Sequence, residues 1–220
     1  MGAYYSWVNI DRREYLQCGD LEDGRCKLYQ MIWYDCMGVR ALYALLDGEW
    51  RGQRILLLGD EGEPAGDGGN AALARLIGER RSWSAAGGLF DYVAAHYRDI
   101  TPIFRESEGV CRAEIDWILN DPHRFDPYRI DRSDPFRGLF GRCVRDYRFV
   151  INDTRAAYLD RERAQSHRGF LVNPLPLLLA CASFDAEPFV GAWMGDSLRV
   201  SDSPPPETYR DMSAIYRVEG

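Results

Sequence analysis

The stretch GDEGEPAGDGGNA at residues 59–71 is where residue types and spacing first suggest chemistry. It follows a short apolar run, Arg54–Leu58, and precedes a helical pattern over Asn70–Arg80, which is the layout of a phosphate-binding turn at a helix N-terminus. Gly66 to Ala71 even satisfies G-x-G-x-x-A literally. Two physical points weigh against a dinucleotide. The nucleotide turn is tight, whereas several residues separate Leu58 from Gly66. Asp60, Glu61, Glu63 and Asp67 stand there without a Lys or Arg among them and would repel a pyrophosphate. The same four acids could hold a hard cation, yet their spacing does not follow the twelve-residue calcium loop. Two further readings stay open: a loop that presents negative charge to a basic partner, or a solvated acidic loop.

Other reactive residues do not assemble into a recognisable constellation. The three histidines are His96, His123 and His167, and no G-x-S-x-G, HExxH or Cys-His signature accompanies them. His96 lies in a helical pattern, where a surface role is the ordinary one. Glu114 and Asp116 are two apart and point to different faces of a helix, which spoils them as a carboxylate pair. The six cysteines (Cys18, Cys26, Cys36, Cys111, Cys143 and Cys181) form no CxxC pair and match no zinc spacing. The expectation is therefore no catalytic residue, no metal and no cofactor.

The elements that must carry these residues show an internal duplication. WVNIDRREYL at 7–16 matches VINDTRAAYL at 150–159, and GEWRGQRI at 48–55 matches GAWMGDSL at 191–198. One offset of 143 residues aligns Asn9 with Asn152, Arg12 with Arg155, Tyr15 with Tyr158, Leu16 with Leu159, Gly48 with Gly191, Trp50 with Trp193 and Gly52 with Gly195. A Trp and two Gly held in register describe a scaffold: glycine permits unusual backbone and the indole anchors a corner. Tyr15 and Tyr158 are expected to pack on the same units. Asn9 and Asn152 precede hairpin turns, where the side-chain amide can bond local backbone.

Each unit reads as a hairpin, a helix and a strand. Residues 4–10 and Glu14–Leu16 form the first hairpin, apolar positions from Met31 to Leu46 predict a helix ending at Asp47-Gly48, and Arg54–Leu58 reads as a strand buried on both faces. In the second unit the strands are Arg148–Ile151, Ala156–Leu159 and Ser197–Val200, with a helix over Leu175–Ala182 capped near Asn173. Between the units, Asn70–Arg80, Gly88–Arg98 and Cys111–Leu119 carry apolar residues at helical spacing. Residues 120–142 hold three Asp-Pro pairs and many arginines, which suits an excursion rather than a helix. Ser203 to Pro206 reads as a stiff linker to a final strand. The predicted fold is α+β: one domain over 1–220, with units at about 4–60 and 147–202 joined in a mixed sheet, and a helical insert at about 70–142.

A net charge of −7 over 220 residues argues against non-specific nucleic-acid binding and favours a basic protein partner. The N-terminus lacks a secretory pattern and no apolar run is long enough to span a bilayer, so the expected setting is cytoplasmic with reduced thiols and no membrane contact.

The block GAYYSWVNIDRREYL, followed by ALYALLDGEWRGQRILLLGDE, resembles a group of uncharacterised bacterial proteins that share a GAYYxWVNxDxxEY start, an apolar helix, a W-x-G corner and a strand ending in G-D-E. The VINDTRAAYL and NPLPLLLA blocks resemble the same group. The resemblance implies an immunity or accessory role beside polymorphic toxins and brings no catalytic residues. The expected function is an immunity protein, not an enzyme, that covers the active site of a cognate and basic toxin. Asp60, Glu61, Glu63 and Asp67 are the first candidate contact, and Asp20, Glu22 and Asp23 the second. The alternative is a small enzyme acting on a nucleotide or modified side chain through the turn at 59–71, with His96 or His123.

Overall fold

The computed structural model of the chain describes residues 4–21, 27–32, 37–60, 88–102, 147–164, 173–181 and 189–214. The expected helices at Asn70–Arg80 and Cys111–Leu119, and the Asp-Pro excursion at 120–142, lie outside them. In chain order the elements are β1 (Tyr5–Asn9), β2 (Glu14–Gln17), a short 3-10 turn (Cys18–Asp20), α1 (Leu28–Met31), α2 (Met37–Asp47), β3 (Gln53–Gly59), α3 (Leu89–His96), β4 (Arg98–Asp99), β5 (Phe149–Asn152), β6 (Ala157–Asp160), α4 (Leu175–Leu179), β7 (Ala180–Cys181), β8 (Asp196–Ser201) and β9 (Arg210–Asp211). The class is α+β with one mixed sheet, in the order β4-β2-β1-β3-β8-β5-β6-β9, and β7 lies against β3.

Alternation along the central strands divides the apolar residues between two layers. Trp7, Leu16, Ile55, Leu57, Val150, Leu159, Leu198 and Val200 form one core with α1, α2 and α4. Val8, Ile10, Tyr15, Leu56 and Leu58 face the other way and pack on Leu89, Tyr92 and Val93 of α3. β3 is thus apolar on both faces, as its continuous run predicts. Trp7 is fully buried and its indole Nε1 donates to the Gly38 carbonyl at 2.8 Å, which ties β1 to the start of α2. Further bonds join the early and late parts of the chain. Asn173 N donates to Ile32 O at 2.7 Å, the Arg161 guanidinium lies 4.6 Å from the Tyr43 ring centroid, and Tyr147 OH donates to Asp47.

The hydrogen bonds of the two hairpins correspond at the offset of 143 residues that relates Asn9 to Asn152. Asn9 Oδ1 accepts from Arg12 N and Asn152 Oδ1 from Arg155 N, both at 3.0 Å. Arg13 and Ala156 both take positive φ, 55° and 47°. β3 and β8 pair antiparallel, Gln53 with Leu198, Arg54 with Ser197 and Ile55 with Asp196. Beside this seam Gly52 N donates to Leu198 O and Gly195 N to Ile55 O, each at 2.8 Å. Such reciprocity, in which i meets j and j meets i, is the signature of a two-fold contact.

Three expectations need correction. The helix from Leu175 stops at Leu179, because Ala180 and Cys181 pair in parallel with Leu57 and Leu58. A strand partner for β3 outweighs the helical propensity of the apolar run. The helix expected over Gly88–Arg98 ends at His96, since Arg98 and Asp99 pair with Glu14 and Tyr15. Arg98 and Asp99 therefore belong to the sheet edge. The single helix expected from Met31 to Leu46 is two pieces, α1 and α2, among the described residues.

Glycine has a specific use at the seam. Gly52 has φ +70°, and a Cβ there would meet only Ser197 Oγ at 3.9 Å, so its constraint is torsional and not steric. Gly52→Ala should cost about 1–2 kcal/mol, the penalty of a left-handed conformation for a side chain. A urea denaturation midpoint equal to that of the wild type would show that the turn relaxes without cost.

Candidate functional site

Two features of the described residues could do more than pack: the charged corners under the tryptophans, and the end of the sheet from which the acidic segments leave.

The first corner is built by β1, β2 and the turn after α2. Trp50 N caps that helix by donating to Leu45 O at 2.8 Å, which drives the indole under the hairpin. Its Nε1 donates to Glu14 Oε2 at 2.7 Å. Arg12 Nε donates to the same oxygen at 3.1 Å, and Arg98 Nη2 from β4 donates to Oε1. Glu14 is only 3% exposed. Burial pushes its carboxyl up, but the hydrogen bonds from Trp50, Arg12 and Arg98 outweigh this and hold it below its ordinary value. A carboxylate whose oxygens already accept from an indole and two guanidiniums is an anchor; it does not trade protons near neutral pH.

The second corner uses the same parts with the acid in a different place. Asn152 Nδ2 donates to Asp196 Oδ2 at 2.8 Å, and Arg155 Nε reaches the same oxygen at 2.5 Å. Trp193 is buried, its backbone N donating to Leu178 O at 2.8 Å. Gly191 and Gly195 both have φ +73°, whereas in the first corner only Gly52 has positive φ, at +70°. Tyr15 packs in the layer beneath α3, and Tyr158 meets Phe149 edge-on with ring centroids 5.9 Å apart.

Sequence reasoning passed over Glu14, Arg98 and Asp196. A usable signal was present in YRDIT at 97–101 and YRDMS at 209–213. Both segments make a parallel edge strand, β4 on β2 and β9 on β6. Gln17 N donates to Thr101 Oγ1 at 2.9 Å and Asp160 N to Ser213 Oγ at 2.7 Å. Thr101 N and Ser213 N donate in turn to Asp99 and Asp211 Oδ1, at 2.8 and 2.9 Å.

The acidic end is set by strand direction. Tyr5 pairs with Gly59 and Ser6 with Gln17, so β1 begins where β2 and β3 end. Asp20 and Asp60 therefore leave the sheet at one end, on strands that flank β1. Asp60 N donates to Tyr4 O and Tyr4 N to Asp60 Oδ1, each at 2.9 Å, and the Tyr4 side chain is 54% exposed. Tyr29 on α1 is exposed to a similar degree, 53%. Glu61, Glu63, Asp67, Glu22 and Asp23 lie outside the described residues, as do His123, His167, Glu114, Asp116 and the G-x-G-x-x-A turn.

Little in the described residues suggests a reaction centre. His96 stacks on Tyr92 with centroids 4.3 Å apart, and its Nδ1 lies 3.0 Å from Tyr92 O on an exposed helix face. Cys18 and Cys181 are buried and neither is in a disulfide, and burial pushes the Cys181 thiol up to about 12. Among the described residues no group of three or more His, Cys, Asp or Glu is placed to hold a metal ion, and no helix is long and apolar enough to cross a membrane.

The lowered pKa of Glu14 carries a sign. Its contribution to stability is complete above the ordinary carboxylate range and is lost as pH falls through the folded-state pKa. Glu14→Gln should lower stability at pH 7 by about 1–3 kcal/mol, because the buried donors lose their acceptor charge. The gap to the wild type should narrow toward about pH 4, where this carboxyl takes up protons in the unfolded chain more than in the folded one. Urea denaturation at the two pH values checks this, and a gap independent of pH would mean that Glu14 is not ionised in the fold.

Comparison with protein-family models, with curated proteins and with solved structures finds no match to this chain.

Proposed function

We propose that this chain is a cytoplasmic immunity protein that binds a cognate bacterial toxin of basic character and covers its active site. The observation that carries the reading is the acidic end: Asp20 and Asp60 leave the sheet at the same end, after the two strands that flank β1, and the exposed Tyr4 precedes β1 there. Acids with an exposed aromatic suit docking on a basic cleft, where charge steers encounter and the ring supplies contact area. Three other carboxylates are engaged inside the molecule. Glu14, Asp160 and Asp196 are buried, and each accepts from an arginine.

The scaffold behind this surface is read as two copies of one hairpin–helix–strand unit, at about 4–60 and 147–202, each completed by its YRD edge segment. What supports this is the shared register of seven identities and the recurrence of turn, seam and edge hydrogen bonds. The acidic end is not part of the shared plan. At the same offset, Asp20 falls on Arg163 and Asp60 on Ser203, which begins the proline-rich segment. Charge therefore distinguishes one copy, as expected of a surface chosen for a partner and not for folding.

Changing Asp60, Glu61, Glu63 and Asp67 to lysine should weaken binding to the cognate toxin domain by at least roughly 10-fold at low salt, since several interfacial charge pairs turn repulsive. Protection of cells expressing that toxin should fall in parallel. Unchanged affinity and protection would remove this loop from the interface, and the same exchange at Asp20, Glu22 and Asp23 then tests the neighbouring segment.

A further inference from the structure

Resting on the two-copy reading, we propose that the corner beneath each tryptophan has two alternative seats for one carboxylate, and that Gln53 occupies the unused seat of the first copy. The first seat is on the return strand of the hairpin. Glu14 holds it in one corner, and its counterpart in the other is Ala157, which is buried and has no charge to offer. The second seat is on the strand that forms the seam. Asp196 holds it in the second corner, and its counterpart in the first is Gln53.

The geometry around both seats is shared. Asn9 lies between Glu14 on β2 and Ile55 on β3, and Asn152 lies between Ala157 on β6 and Leu198 on β8. Gln53 pairs with Leu198 across the seam while Asp196 pairs with Ile55, so the two positions are exchanged by the same two-fold relation. Strand alternation puts Gln53 on the face of Ile55, which is also the face of Asn9 and Glu14. Arg12 and Arg155, identical in the two copies, each bring Nε to whichever acid is present. One guanidinium thus serves an acid on either neighbouring strand.

The donor left over marks the vacated seat. Asn152 Nδ2 donates to Asp196, whereas Asn9 Nδ2 is fully buried and has no hydrogen-bond partner among the described residues. Buried polar groups without partners are uncommon and call for an account. Here the account is that the amide kept its place while the acid moved from the seam strand to the return strand. The gain on the return strand is reach: Glu14 also accepts from Trp50 Nε1 and from Arg98 of the edge strand. The proposal makes the corner a structural ion site with transferable parts, and it assigns Gln53 as the position able to substitute for Glu14.

Three full-length variants test it by thermal denaturation. Glu14→Ala should lower Tm by roughly 5–10 °C, as expected for one to three kcal/mol from stranded buried donors in a chain of this size. Adding Gln53→Asp should restore at least about half of that loss, because Arg12 regains an acceptor and Asn9 Nδ2 gains one. Adding Gln53→Asn instead should restore nothing, since it supplies no charge. Should Glu14→Ala alone fail to fold, recovery of folded protein by Gln53→Asp is the same supporting result. A Glu14→Ala variant as stable as the wild type, or a double variant no better than the single, overturns the proposal. Its failure is separable from failure of the two-copy reading, which would instead appear as halves that do not superpose in an experimental structure of the wild type.

Discussion

The antiparallel seam between β3 and β8 is the contact on which the rest of the molecule depends. It joins strands from the early and late parts of the chain, and both layers of core are laid against it. Gln53 to Ile55 face Leu198 to Asp196, and Gly52 and Gly195 each donate a backbone bond across it at 2.8 Å. Pairing near the middle of the sheet leaves only short strands at its margins. β4 and β9 have two residues each, so neither presents a long ladder of open donors and acceptors for another chain to join.

This arrangement explains why buried charge is tolerated so close to the core. Removing a carboxylate from water is costly unless its oxygens are fully engaged. Each buried acid near a hairpin has that engagement: Glu14 from Trp50, Arg12 and Arg98, and Asp196 from Asn152 and Arg155. Asp160 is engaged by Arg148 through Nε and Nη2 at 3.2 and 2.8 Å. These arginines are half-exposed, so one end of each pair stays in water and the desolvation cost falls mostly on the acid. The result is a sheet whose hairpins are pinned by ion pairs while the strands between them are apolar.

How much of this was legible without coordinates varies by element for physical reasons. The hairpins, the run Arg54–Leu58 and the tryptophan corners could be read, because turn chemistry and apolar runs are local and the register of Asn9, Arg12, Tyr15 and Trp50 recurs unbroken. The end of α4 could not. Ala180 and Cys181 leave helix only because Leu57 and Leu58 offer an edge, and that is a tertiary fact. The YRDIT and YRDMS segments escaped because they lie 112 residues apart, out of step with the offset of 143 that relates Asn9 to Asn152. The corner acids escaped because they occupy different strands in the two corners, so no alignment places Glu14 over Asp196. Asp20 and Asp60 were recognisable as charged, but their exit at one end of the sheet follows from strand direction alone.

If the two halves follow one plan, as proposed, their differences indicate what the plan was adapted to do. The matched positions, from the asparagines before the turns to the glycines at the seam, are occupied in backbone bonding and burial. The differences cluster elsewhere. One is the face beneath α3, where Leu56 and Leu58 are packed, while their counterparts Arg199 and Ser201 are polar and Arg199 is paired with Asp153 at 3.0 Å. The other is the end of the sheet, acidic on one side and proline-rich on the other. The polar face is closed by its own pairs, since Asp153 also accepts from Tyr209 OH at 3.0 Å. At the acidic end the Asp60 side chain accepts from the backbone of Tyr4, and Tyr4 itself is exposed. In the proposed reading that end, and not the paired polar face, is the one that meets a basic partner.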